Sequence, residues 1–295
     1  MQMPRQTLSY LRNLFEERGI RPKSKLGQNF LVDLNLLELL MATAELTSDD
    51  LALEVGSGTG SLTTRLAQLA GAVLSVELDS DFYSLVSEIV ADLPNVRLLH
   101  ADVLRNKNEL NRHVLEALEQ MQREFGCPRL KLVANLPYAV AVPVLANLLI
   151  SDLAVERMVV TIQWEIAERL TASPSTKNFG ALAVLVQSLA DVAIIRRLPP
   201  SVFWPRPQVA SAIVLIRPNP AKRRQVGDVP RFREFLRDLY THRRKNLRAV
   251  LSGWSRRPRS KDEVDHMLAQ LGIDGTLRAE SLSLEQHRRL CEAFG

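Results

Sequence analysis

From Leu51 onward the chain alternates short apolar runs with longer amphipathic stretches, and this alternation constrains the fold more than any other feature. Apolar runs at 51–55, 72–78, 96–99, 130–134 and 157–162 have the length of strands, with helical patterns at about 61–70, 80–91, 108–125 and 141–150 between them. Strands joined by helices of that length form βαβ units and a parallel sheet. The 108–125 stretch makes the third crossover long and reads as a surface elaboration. Pro143 is expected in the first turn of the helix after Tyr138, where a missing N–H costs little. Two further runs, 191–198 and 210–216, flank a proline-rich turn and read as a hairpin-like pair, bringing the expected sheet to seven strands in an α/β fold.

Residues 5–19 read as an amphipathic helix ended by Gly19, and a basic, polar lead-in without helical or strand period follows over 21–31. Asp33 is placed to N-cap a helix reaching about Leu46. After residue 163 come a helix (164–172), a polar loop (173–178) and an apolar helix from about 180. Beyond Pro218 the strand signal stops; 219–228 reads as a linker, and helical patterns lie near 230–240, 243–252, 261–271 and 284–294. The expected organisation is a catalytic domain over 1–218 and a small all-α domain over 219–295.

Charge follows the same division. The chain carries net charge +5, yet residues 217–295 hold 18 Lys and Arg against 10 Asp and Glu, while 1–216 hold 20 against 23. This asymmetry suits either a basic module with a polyanionic partner or a solvated helical surface. With 46% hydrophobic and 24% charged residues, the chain can bury a core and stay dissolved. No apolar run approaches membrane-spanning length, and Met1-Gln2-Met3-Pro4-Arg5 contains no apolar leader segment, so a cytoplasmic protein without membrane attachment is expected. Cys127 and Cys291 form no CxxC pair, and the five histidines have no ligand spacing, so neither a disulfide framework nor a metal is expected.

Four strand ends carry chemistry. Asn135-Leu136-Pro137-Tyr138 breaks the strand over 130–134 and leaves an amide, a carbonyl and an aromatic ring at its carboxyl end. That set can accept two hydrogens from an exocyclic amine and stack on its ring; the four residues alone equally describe a helix-start turn with an N-cap Asn and a packed Tyr. Glu54-Val55-Gly56-Ser57-Gly58-Thr59-Gly60 follows the first strand, permits close backbone approach to a ligand and aims helix N–H groups at it. It lacks the third glycine of the dinucleotide fingerprint, since position 61 is Ser. Glu77 ends the second strand, where an acid can accept from both hydroxyls of a ribose. Asp102 ends the third, placed to accept from an adenine amino group. Together the four strand ends describe an adenosyl-containing ligand, and the absence of a phosphate-binding Lys in the set favours S-adenosylmethionine over ATP.

Gly27-Gln28-Asn29-Phe30-Leu31, the 54–60 loop, Val76-Glu77-Leu78-Asp79, Asn135-Leu136-Pro137-Tyr138 and Phe203-Trp204-Pro205-Arg206-Pro207 resemble the ribosomal RNA adenine-N6 dimethyltransferase family. Ser175-Thr176-Lys177-Asn178-Phe179-Gly180, Arg243-Arg244-Lys245-Asn246-Leu247-Arg248 and Arg278-Ala279-Glu280-Ser281 resemble its small-subunit branch more than the large-subunit methylases. The resemblance spans roughly residues 21–290. It implies a seven-stranded, Rossmann-like class I methyltransferase sheet and an S-adenosylmethionine site from Asn29, Leu31, Gly56, Gly58, Glu77, Asp102 and Asn135. It implies catalysis by Asn135, Leu136, Pro137 and Tyr138, with Tyr138 and Phe203 sandwiching the target adenine. The implied activity is N6,N6-dimethylation of two adjacent adenosines in the 3′-terminal hairpin loop of small-subunit rRNA, on a 30S assembly intermediate, by a monomer. RNA contact is expected at Lys23, Lys25, Arg243, Arg244, Lys245 and Arg248. The chain departs from the family at Ala139-Val140-Ala141, where Asn-Ile-Ser is usual, at Trp164, where Lys is common, and at Trp204, which replaces a small or polar residue and is read as core filling. Two other functions fit the same fold: a non-catalytic ribosome-assembly or transcription factor, and a large-subunit rRNA methylase.

Overall fold

The computed structural model describes residues 7–254 and 258–295. Its central sheet has seven strands: β1 (Asp50–Val55), β2 (Ala72–Glu77), β3 (Val96–His100), β4 (Arg129–Asn135), β5 (Val155–Gln163), β6 (Ala190–Leu198) and β7 (Ser211–Pro218). Their order across the sheet is β3-β2-β1-β4-β5-β7-β6. β1 pairs in parallel with β2 and β4, as do β2 with β3 and β4 with β5, whereas β7 runs antiparallel to β5. Every residue of β1 and β2 is buried, which is why these strands read as mainly apolar runs, interrupted only by Glu54 and Ser75 between their ends. The strand order reverses between β1 and β4, and the crevice outside their carboxyl ends is where such sheets bind ligands.

The lead-in has more structure than its sequence suggested. A 3₁₀ turn forms at Ser24–Leu26, and Phe30–Leu31 pairs antiparallel with Phe203–Trp204. Phe15, from helix α1 (Leu8–Arg18), packs on Phe30 at 5.4 Å, Phe82 at 5.5 Å and Trp204 at 5.2 Å. Trp204 thus fills an apolar cluster, as its sequence reading proposed. Of the helix expected over 5–19, positions 5 and 6 lie outside the described residues. The 108–125 stretch divides: a hairpin of Leu104–Asn106 with Glu109–Leu110 precedes a helix that begins only at Arg112, capped by Asn111. Asn111 also donates to the Asp102 carbonyl at 2.9 Å, so one side chain ends the hairpin and starts the helix.

Two compact units divide the chain. The first comprises residues up to Ala167 together with Ala193–Arg217, and the second Glu168–Val192 with Pro218–Gly295. The segment Glu168–Val192, grouped by sequence with the catalytic half, clusters with the second unit. The supposed linker at 219–228 contains a helix, Pro220–Val226: Asn219 caps it by accepting from the Ala221 and Lys222 backbones, and Pro220 presets the first turn. Helices Val229–Thr241, Leu247–Leu251, Lys261–Gln270 and Leu284–Phe294 follow. The expected helix over 243–252 starts only after Asn246, its N-cap, which leaves Arg243, Arg244 and Lys245 in a turn.

Candidate active site at the carboxyl edge of the sheet

The loop after β1 approaches the chain on both sides. Gly56 sits at φ +82°, its N–H donates to the Val76 carbonyl at 2.8 Å, and a Cβ there would meet the Pro137 ring at 3.1 Å. Gly58, at φ +53°, has no room for one: a Cβ would lie 2.9 Å from the Phe30 ring. The left-handed backbone and these contacts both demand glycine. The loop leads into helix α2 (Ser61–Leu69), whose first residues, Ser61 and Leu62, line a cavity together with Gly56 and Gly58.

Glu77 ends β2 and is only 7% exposed. One carboxylate oxygen accepts from the Ser57 hydroxyl at 3.1 Å and the Gly58 N–H at 3.0 Å; the other accepts from the Leu78 and Asp79 N–H groups, both at 2.9 Å. The carboxylate therefore ties the glycine loop to the next turn. Asp102 is exposed, with one oxygen accepting from the Leu104 N–H at 2.9 Å. Between these two acids Leu78 is 48% exposed, an apolar face at the mouth of the crevice. Gly56, Glu77, Leu78, Asp102, Asn135 and Asn29 all line one cavity.

Asn135 ends β4 and is fixed from both sides. Its amide N–H donates to the Asn29 carbonyl at 2.8 Å, tying it to the lead-in. Its amide oxygen accepts from the hydroxyl of Thr161, the residue opposite it on β5. The Asn29 partner identifies which amide atom is nitrogen, because a carbonyl can only accept. The amide oxygen keeps a second lone pair for a ligand.

Helix α3 (Tyr138–Ile150) begins directly after Pro137. Tyr138 is its first residue and Pro143 its sixth, so Pro143 lies beyond the expected first turn and removes a helical bond to the Ala139 carbonyl. Tyr138 is half-buried, and its hydroxyl sits 2.6 Å from the hydroxyl of Ser211, the first residue of β7. Burial pushes its phenol pKa up, partly offset by Ser211, so the ring stays neutral. Phe203 differs from its expected role: it is 3% exposed and packs in the core with Leu31, Val133 and Ile213. As it stands, this ring offers no free stacking face.

Buried beneath the glycine loop, Glu54 is 1% exposed and accepts from the hydroxyls of Thr63 and Ser75, each at 2.6 Å. Burial pushes its pKa up to about 8, and the charge of Glu77 adds to the rise.

The expected RNA-contact residues separate into two sets. Lys23 bridges Asp79 at 2.9 Å and Asp81 at 3.0 Å, and Gln28 also donates to Asp79, so Lys23 fastens the lead-in to the helix Ser80–Val90. In the second unit Arg243 donates to Glu280 and to the Lys177 and Phe179 carbonyls, while Arg248 pairs with Asp265 at 2.6 Å. Lys25, Arg244 and Lys245 are exposed and pair with no carboxylate among the described residues. Among those residues, too, no three His, Cys, Asp or Glu side chains group as a metal ion would need, and no helix is long and apolar enough to cross a membrane.

A family model described as "Ribosomal RNA adenine dimethylase" matches residues 19–294, nearly the whole chain. The chain belongs to the ribosomal RNA adenine dimethylase family. It is 35% identical over 284 residues to the Ribosomal RNA small subunit methyltransferase A of Ligilactobacillus salivarius, covering 96% of this chain and 93% of that one. The protein of the same name from Pediococcus pentosaceus is 37% identical over 274 residues, covering 92% and 90%. In fold it is similar to a dimethyladenosine transferase from Plasmodium falciparum, with a TM-score of 0.70 at 22% identity, over 88% of this chain and 95% of that one. The sheet is that of class I methyltransferases. Within this adenine dimethylase the sequence had marked Asn135, Tyr138, Glu77 and the glycines. It assigned no role to Thr161 or Ser211, whose hydroxyls hold Asn135 and Tyr138 in place, because their relevance depends on which strands are neighbours.

Proposed function

We propose that this adenine dimethylase transfers methyl groups from S-adenosylmethionine to N6 of two adjacent adenosines in the 3′-terminal hairpin loop of small-subunit rRNA. The observation that carries the reading is Asn135, held by Asn29 and Thr161 with an amide oxygen free to accept once more, at the strand end between the glycine loop and Tyr138. The crevice suits the cofactor: Leu78 offers an apolar face for the adenine ring, Asp102 an exposed acceptor for its amino group, and Glu77 two acceptor positions that ribose hydroxyls can take over from Ser57 and Gly58. When bound there, S-adenosylmethionine supplies an electrophilic methyl group.

The chain's own residues position the nucleophile. Adenine N6 is weakly nucleophilic because its lone pair is conjugated with the ring. Asn135 and the Leu136 carbonyl accept the two amine hydrogens, favour a pyramidal nitrogen and aim its lone pair. Orientation of this kind supplies several kcal/mol, on the order of the effective-molarity advantage of a bound reactant. Tyr138, anchored by Ser211, supplies a stacking face, which contributes about 1–3 kcal/mol per base. Attack leaves a cationic nitrogen that loses its proton readily, so no side chain has to act as a base. A hairpin-loop adenosine is already partly unstacked, which lowers the cost of flipping it into the crevice. Exposed Arg244 and Lys245 supply phosphate contacts from the second unit, and the protein acts as a monomer in the cytoplasm on assembling subunits.

Incubation with methyl-labelled cofactor and, in parallel, undermethylated small and large subunits tests the reading. Label in the small-subunit rRNA as N6,N6-dimethyladenosine supports it. Subunit binding without transfer would leave an assembly factor, and label confined to large subunits would leave a large-subunit methylase.

A further inference from the structure

Moving across the sheet away from the glycine loop, the same edge carries a second aromatic feature. Gln163, the last residue of β5, lies opposite Ser211, the residue that anchors Tyr138. The next residue, Trp164, is pinned there by its backbone N–H, which donates to the Ala210 carbonyl at 2.9 Å. Arg197, near the end of β6, places its guanidinium carbon 4.6 Å from the centroid of the Trp164 ring. Arg197 is exposed and pairs with no carboxylate among the described residues.

An unpaired arginine laid on an indole is a planar cation held in one orientation, with its outer face and N–H edge open. Single-stranded RNA loops are recognised by such planes, on which splayed bases stack.

We propose that Arg197, oriented by Trp164, is a nucleotide-binding shelf for the base that flanks the flipped adenosine in the RNA loop. The flanking base lies on the open guanidinium face, beside the target ring on Tyr138. This rests on the adenine-methylating reading of the Asn135 site, but its test reads RNA contact independently of turnover.

The affinity of full-length protein for undermethylated small subunits is measured by direct binding, with kcat and KM for methyl transfer and the reactivity of each loop nucleotide to a chemical probe. Arg197→Ala should weaken affinity and raise KM about tenfold, the scale of one lost base stack. It should leave kcat within about twofold, since ring capture by Tyr138 is intact, and expose to the probe one nucleotide next to the methylated pair. Arg197→Lys keeps the charge but not the plane, so it should fail to restore affinity, and Trp164→Ala should match Arg197→Ala. Wild-type affinity in Arg197→Ala together with a lowered melting temperature would make the pair a packing contact and overturn the proposal. Full rescue by Arg197→Lys would reduce it to a point charge and equally overturn it. A wild-type protein that binds subunits without methylating them would refute the Asn135 reading alone, because affinity and probing still report on the shelf.

Discussion

The hydroxyl of Thr161 donates to the amide oxygen of Asn135 across the β4–β5 pair. Thr161 is fully buried, so this hydroxyl has no solvent alternative, while the Asn29 carbonyl, which can only accept, fixes the flip of the amide. Thr161→Val should lower kcat about tenfold, about 1.4 kcal/mol of lost orientation, with subunit affinity unchanged. Thr161→Ser should recover most of the rate. Loss of rate in both variants alike would assign Thr161 to packing, and wild-type kcat in the valine variant would remove it from the site.

Glu54 predicts a pH dependence of stability. Its pKa in the folded protein, about 8, lies above the ordinary carboxylate value because burial penalises the charge. The folded state therefore binds more protons than the unfolded state between about pH 4.5 and 8, and stability contributed by the neutral carboxyl is lost as pH rises through that window. Urea midpoints at pH 6 and pH 8.5 should fall from the first to the second in wild type and fall less in Glu54→Gln. Parallel falls in the two proteins would contradict the assignment.

At the amino edge of the sheet, far along the strands from the site, Lys131 is 3% exposed and donates to Asp50 at 3.0 Å and to the Glu45 carbonyl at 2.7 Å. Arg129 reaches Asp50 at 2.8 Å. Without the Lys131 ammonium, buried Asp50 still has Arg129 and the Thr47 N–H as partners, so the loss is that of a hydrogen bond to a charged group, about 1.5–3 kcal/mol. Lys131→Ala should lower stability on that scale in urea titration while the folded fraction keeps wild-type kcat. Reduced kcat per folded molecule would place this cluster in the catalytic mechanism.

In the second unit, Arg243 is committed to Glu280 and two carbonyls, whereas Arg244 and Lys245 are exposed beside it. Replacing Arg244 and Lys245 with Glu should weaken small-subunit binding and lower the salt slope by about two, one per phosphate contact. Arg243→Ala should instead lower the melting temperature. Unchanged affinity in the double variant would move the RNA footprint away from this turn.

Much of the fold was legible because its signals are local. Strands β1, β2 and β4 are buried on both faces, so their apolar runs appear directly in sequence, and Asp33, Gly19 and the 54–60 loop announce their turns. Three segments differ from their sequence reading because of a single cap: Asn111 shortens the 108–125 helix, Asn219 turns a linker into a helix, and Asn246 delays another. In the site, Asn135 and Tyr138 could be found from motif and strand end. Thr161 and Ser211 could not, since β5 lies between β4 and β7 only once the sheet order is known. Lys23, Arg243 and Arg248 read as free cations because their carboxylate partners lie 17 to 58 residues away in sequence.

In the proposed reaction Asn135 orients adenosine N6 for methyl transfer. The most direct measurement is mass spectrometry of the 3′-terminal rRNA fragment after undermethylated small subunits are incubated with S-adenosylmethionine and either wild-type protein or Asn135→Ala, alongside direct subunit binding by both. The expected result is two adjacent N6,N6-dimethyladenosines with wild type, none with Asn135→Ala, and affinities within about twofold of each other because the phosphate contacts are untouched. Dimethylation by Asn135→Ala at the wild-type rate would contradict it.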